Sequence, residues 1–261
     1  MKWLLRISGL VLCLVIGWAR APILKISSGD REGRHIRYVA LGDSIAYGYG
    51  LRNREKDGYV GRINQYLESC YDSVFCSNLG TNGLESKDLL ERLTDENNSW
   101  YRKYRATLQG ADIITLSVGS NDLLHLLKLD GDVYQYLKNG STKFRQACED
   151  FGQTFPQIIE ALHEIAPKAE IYVDNVYNPC KGLSQFRSVY EAADYYISLL
   201  NHAFSGQKGF TLVDVKIIFD NSEEKLLNVT LNGGKVDPHP NADGHRCIAD
   251  AVIQEIKKRP D

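Results

Sequence analysis

The sequence predicts an α/β protein with a parallel sheet covered on both faces, on three observations. First, five short apolar, β-branched runs recur along the chain, at 36–41 (IRYVAL), 74–79, 112–118 (DIITLSV), 169–176 (AEIYVDNV) and 211–215 (TLVDV). Such runs, too apolar for a half-exposed strand, read as strands buried on both faces. Second, segments with helical spacing of apolar residues lie between them, and strand–helix alternation argues a parallel sheet. Third, the loops after the first three runs carry glycine beside Ser, Asn and Asp. Ligands in open parallel sheets bind outside the carboxyl ends of the strands, so these loops should converge on one crevice.

The elements follow in order. Helical patterns cover 59–68, 87–93, 122–137, 142–165 and 190–204. A last helix is expected over 243–258, with Ile248, Val252 and Ile256 at i, i+4 spacing and lysines in its final turn. No internal repeat or low-complexity linker divides the chain. The expected organisation is an export segment at 1–21, a short leader at 22–35 and one domain at 36–261.

Composition bounds the function. The 261 residues are 43% hydrophobic and 25% charged, which excludes a disordered, collagen-like or polytopic membrane chain. Residues 1–21 carry Lys2, Arg6 and Arg20 and no acid, so the remainder has 28 basic against 33 acidic side chains. A mildly acidic body has no electrostatic case for binding nucleic acid. Lys2 and Arg6 precede an uncharged stretch from Ile7 to Ala19, and Ala19-Arg20-Ala21 has the small-x-small form of a cleavage site. That apolar run is shorter than the roughly 20 residues of a spanning helix. Residues 1–21 are therefore a cleaved signal peptide or an uncleaved membrane anchor, and Pro22 directly after the site works against cleavage. Either outcome places the domain outside the cytoplasm.

Beyond Cys13 in the export segment, Cys70, Cys76, Cys148, Cys180 and Cys247 remain, an odd set for an oxidising compartment. Cys70 and Cys76 bracket a short turn and are the expected pair. No CxxC or Cys/His cluster suggests zinc.

Four motifs carry the chemistry. They are Gly42-Asp43-Ser44 after the first strand, Asn78 to Gly83 after the second, Gly119-Ser120-Asn121-Asp122 after the third, and Asp237-Pro238-His239-Pro240-Asn241 before the last helix. A serine in a glycine-bearing turn at a strand end can expose its hydroxyl as a nucleophile. A histidine accepts and returns a proton near neutrality. Backbone N–H groups beside glycine and an asparagine amide are suitable donors to an oxyanion. GxSxG, HExxH, P-loop and GxGxxG patterns are absent from the sequence.

From Tyr38 (YVALGDSIAYGYG) to the HPNADGH segment, the sequence resembles the SGNH hydrolases, the GDSL esterase/lipase family. The resemblance implies a flavodoxin-like three-layer α/β/α sandwich with a five-stranded parallel sheet in the order 2-1-3-4-5. It makes Ser44 the nucleophile, although Ile45 stands where leucine is usual, and His239 the base. It assigns the oxyanion hole to Ser44 N–H, Gly83 N–H and the Asn121 side chain, with no cofactor and no metal. One departure concerns the histidine's partner. The family places Asp three residues before His, where this chain has Val236, while Asp237 lies two before His239. Asp237, a backbone carbonyl or nothing then orients His239. The altered spacing predicts a workable but poorer hydrogen bond.

Blander roles stand beside these. Asp43 is expected to brace its turn and Asn241 to cap the last helix. Gly83 fits a left-handed turn and Asn121 a helix cap. His35, His125, His163, His202 and His245 fit surface or packing roles. Leu123, Leu124, Leu126, Leu127 and Leu129 fit a core or an acyl pocket, and Tyr47 and Tyr49 a rim or internal packing. The expected function is an exported serine esterase acting on carboxylic esters, small or polymeric, of lipid or acetylated carbohydrate. The alternatives are a non-catalytic glycan-binding relative and a metal-dependent phosphoester hydrolase. Against the latter, no DxH precedes the first motif and no GNHD occurs.

Overall fold

The computed structural model describes residues 33–127, 141–181, 187–228, 237 and 239–258. The export segment at 1–21, most of the leader, Leu129 and the 128–137 part of the helix expected over 122–137 lie outside them. Strands β1 (His35–Gly42), β2 (Ser73–Asn78), β3 (Ile113–Ser117), β4 (Glu170–Asp174) and β5 (Thr211–Val213) form one parallel sheet in the order β2-β1-β3-β4-β5. The expected order is the observed one. Gly42 pairs with Ser117 and Ser117 with Asp174, so β1, β3 and β4 end side by side.

The helices are α1 (Ser44–Tyr47), α2 (Arg54–Asp57), α3 (Tyr59–Cys70), α4 (Ser86–Thr94), α5 (Tyr101–Leu108), α6 (Ser120–Leu127), α7 (Thr142–Ile165), α8 (Arg187–Asn201), α9 (Val215–Asn221) and α10 (Ala242–Ile256). In β1, Ile36, Tyr38 and Ala40 face one side and Val39 and Leu41 the other, as the period of two requires. The first side packs on α3 and α10 through Tyr59, Ile63, Leu67, Ile248, Val252 and Ile256. The second packs on α4, α7 and α8 through Leu89, Leu93, Phe151, Phe155, Leu162 and Leu200. Among the described residues no helix is long and apolar enough to cross a membrane.

Several expectations need correction. The strand expected over 211–215 stops at Val213, because the Asp214 side chain accepts from Ile217 N at 3.0 Å and starts α9 at Val215. α5 buries only Tyr104 and Leu108 on one face, too brief a period to stand out in YRKYRATL. The helix expected over 190–204 is α8 followed by a 3₁₀ turn, His202–Phe204. Cys70 and Cys76 are free thiols, as are Cys148, Cys180 and Cys247. Cys70 ends α3, whereas Cys76 sits three residues into β2, carried about 10 Å along the strand from its start. The pair does not close one turn.

Candidate active site

The nucleophile's position follows from the end of β1. At Gly42 φ is +136°, and a Cβ there would sit 2.1 Å from Ser117 O, so only glycine lets the two strand ends approach. Asp43 N then donates to Ser117 O at 3.0 Å. The buried Asp43 side chain accepts from Ile45 N at 2.8 Å and caps α1, whose first residue is Ser44. The short helix holds the serine at the mouth of a crevice.

His239 arrives from the other end of the chain. Its Nε2 lies 2.9 Å from Ser44 Oγ, and its Nδ1 lies 2.6 Å from Asp237 Oδ1. A carboxylate only accepts, so Asp237 places the imidazole proton on Nδ1 and leaves Nε2 to accept from the serine hydroxyl. The same Asp237 oxygen accepts from His239 N at 3.0 Å. This side-chain turn bends the carboxylate back over two residues onto the ring. The expected poorer hydrogen bond is instead a short one, and the turn explains how the altered spacing achieves it. His239 O accepts from Asn228 N at 3.0 Å, and Leu227 bridges Pro240 in antiparallel fashion. Asn241 Oδ1 caps α10 through Asp243 N and Gly244 N, both at 2.9 Å. The Tyr49 ring lies 4.5 Å from that of His239 and is 47% exposed, which makes it a rim residue. Tyr47 instead packs under the Arg54 guanidinium.

Asn121, second in α6, donates from Nδ2 to Leu84 O at 3.1 Å and to Asp43 Oδ2 at 3.3 Å. It lines the same cavity as Ser44 and His239. Gly83 does not line that cavity; it lies in the adjoining loop, one residue before the carbonyl that holds Asn121. Its φ of +78° fits the left-handed turn. Asp122 accepts from Ser86 Oγ, and from Ser86 N at 3.1 Å, and so ties α6 to α4. The structure thus brings Ser44, His239, Asp237 and Asn121 together, with Gly83 beside them. The remaining histidines lie apart: His163 meets Gly209 O, His125 pairs with Glu85, and buried His245 accepts from Tyr59 N. Among the described residues, no three His, Cys, Asp or Glu side chains are grouped to hold a metal ion.

Close enough to Asp43 to act on its charge lies a carboxyl group that sequence reasoning missed. Asp174 ends β4, buried beside Asp43, and its only sequence signal is an acid closing an apolar run. Burial pushes the carboxyls of Asp43 and Asp174 up from 3.8 to about 7, and the Asp174 charge is a lesser contributor to the rise at Asp43. Burial lowers His245 from 6.5 to about 3.

These shifts act in opposite directions on stability. Folded Asp174 keeps its proton after the unfolded chain has lost it, so its contribution is full below pH 3.8 and lost as pH rises through about 7. The contribution of His245 is full above pH 6.5 and lost as pH falls towards 3. The Asp174→Asn variant isolates the first. Its Tm relative to the parent should rise between pH 5 and pH 8, by about 5 °C. A difference that is constant or falls over that range, by calorimetry, contradicts this.

Three comparisons place the chain among known proteins. It is 25% identical to the uncharacterized protein YpmR of Bacillus subtilis (strain 168), over 97% of each chain. Its fold is similar to that of the lipase Lip_vut3 from a goat rumen metagenome, with TM-score 0.65 and 22% identity over 84% of this chain and 96% of that one. It is also similar to the acetyl xylan esterase AlAXEase, with TM-score 0.57 and 17% identity over 85% of this chain and all of that one (100%). Residues 40–247 match the GDSL-like Lipase/Acylhydrolase family, and the chain belongs to that family.

Proposed function

We propose that the protein is an exported carboxylic ester hydrolase that works through an acyl-enzyme on Ser44. The observation that carries this reading is the continuous relay from Ser44 Oγ to His239 Nε2 and from Nδ1 to Asp237. Ser44 Oγ attacks the ester carbonyl carbon while His239 Nε2 takes its proton. The tetrahedral oxyanion is met by Ser44 N–H, the first unpaired donor of α1, and by Asn121 Nδ2. Both Asn121 amide hydrogens are engaged, and the longer bond, to Asp43, is the one that yields. The intermediate collapses, the C–O bond to the alcohol breaks, and His239 delivers the proton to the leaving alkoxide. Water then attacks the acyl-Ser44 ester by the same steps and releases the acid.

Residues 1–21 support action outside the cytoplasm, and a mature N terminus near Pro22 would mark it. Full-length chain in the soluble cytosol would contradict export. For the activity itself, the purified protein should hydrolyse p-nitrophenyl esters at the same rate with and without EDTA. Failure of the folded protein to cleave any ester, or loss of the activity with the chelator, would overturn the reading.

A further inference from the structure

The crevice is much larger than its reacting atoms need. Ser44, His239 and Asn121 line a cavity of about 100 Å³ that opens to solvent. Away from them Ser120, Tyr177, Cys180 and Tyr196 add a few polar atoms, and the rest of the wall is carbon. Leu123 and Leu124 project from α6, Phe144 from α7, and Val189, Ala193 and Ile197 from α8. The wall is thus assembled from three helices that pack on the same face of the sheet. An acetyl methyl is about the size of one water, which takes about 10–15 Å³ of such a cavity, and would leave most of it unfilled. A saccharide would set most of its hydroxyls against hydrocarbon side chains, at the cost of unpaired polar groups. A hydrocarbon chain meets neither penalty.

Resting on the esterase reading above, we propose that this cavity receives the acyl part of the ester and selects chains of about six carbons or more over acetyl. Ala193 and Val189 lie one turn apart on α8, both half-buried and both lining the cavity, so a larger side chain at either takes up its volume. Each methylene taken out of water strengthens transition-state binding by about fourfold until the cavity is filled.

The test is a series of p-nitrophenyl esters from acetate to octanoate, run on the parent and on Ala193→Phe and Val189→Phe, with folding checked by circular dichroism. In the parent, kcat/KM should climb about fourfold per methylene, so that hexanoate, four methylenes longer, exceeds acetate by about 250-fold. Either phenylalanine shortens the cavity, and the octanoate-to-acetate ratio should fall at least about tenfold. Acetate turned over at least as well as hexanoate by the parent, or a ratio unmoved in both folded variants, overturns the acyl cavity and leaves the esterase reading standing. Higher kcat/KM on an acetylated xylo-oligosaccharide than on any of these esters does the same. No turnover of any ester removes both.

Discussion

Ser44→Ala lowers kcat by about 10⁶, His239→Ala does the same, and the double variant is no slower than either. The magnitude follows from the geometry. Without the hydroxyl there is no acyl-enzyme, and without Nε2 at 2.9 Å the hydroxyl keeps its proton and stays a poor nucleophile. Each loss removes the whole covalent route, about 8 kcal/mol of barrier lowering, so the second removal takes nothing further. The residual rate is what oxyanion donors and binding supply to direct attack by water. KM stays close to the parent value, because neither group is needed to hold the acyl chain. Steady-state kinetics on one good ester check this. Two single losses that multiply in the double variant would show that the residues do not act as a unit.

Asp237→Asn costs about 10³- to 10⁴-fold in kcat, less than His239→Ala. The side chain keeps its volume, but its amide offers a donor where the carboxylate only accepts, which disturbs the imidazole tautomer. It also removes the negative charge that steadies the imidazolium formed as the serine attacks. The 2.6 Å contact makes this a strong, charge-assisted bond, and the bond from His239 N to the same oxygen fixes its direction. A loss of tenfold or less would assign the orientation of His239 to the backbone around Asn228. Loss equal to that of His239→Ala would make the carboxylate indispensable.

The layers were legible because their signals are local, whereas the sheet order came from the resemblance to the SGNH family and from no single segment. Buried strands declare themselves in runs such as IRYVAL, and Ser44 and His239 sit in short motifs at a strand end and before the last helix. Asp237 was half legible. Sequence spacing alone predicts a weak contact, because it does not show that the aspartate makes a side-chain turn onto the backbone N of His239. The cavity wall was legible only in part. Leu123 and Leu124 lie beside Asn121, but Val189 and Ala193 belong to a helix whose apolar stripe looks like any core-facing stripe. Asp174 was hidden for a related reason. Its effect on Asp43 comes from the parallel register that aligns the ends of β1, β3 and β4, which no single segment encodes. Short helices such as α5 escaped because two buried residues make no period.

The most direct test of the covalent mechanism is to treat the protein with diisopropyl fluorophosphate and map the label by peptide mass spectrometry. Ser44 Oγ displaces fluoride, so the account predicts one diisopropylphosphoryl group per chain, on Ser44, with ester hydrolysis lost in proportion to labelling. Full activity in protein labelled to completion on Ser44, or inactivation with the label on another residue, would contradict it.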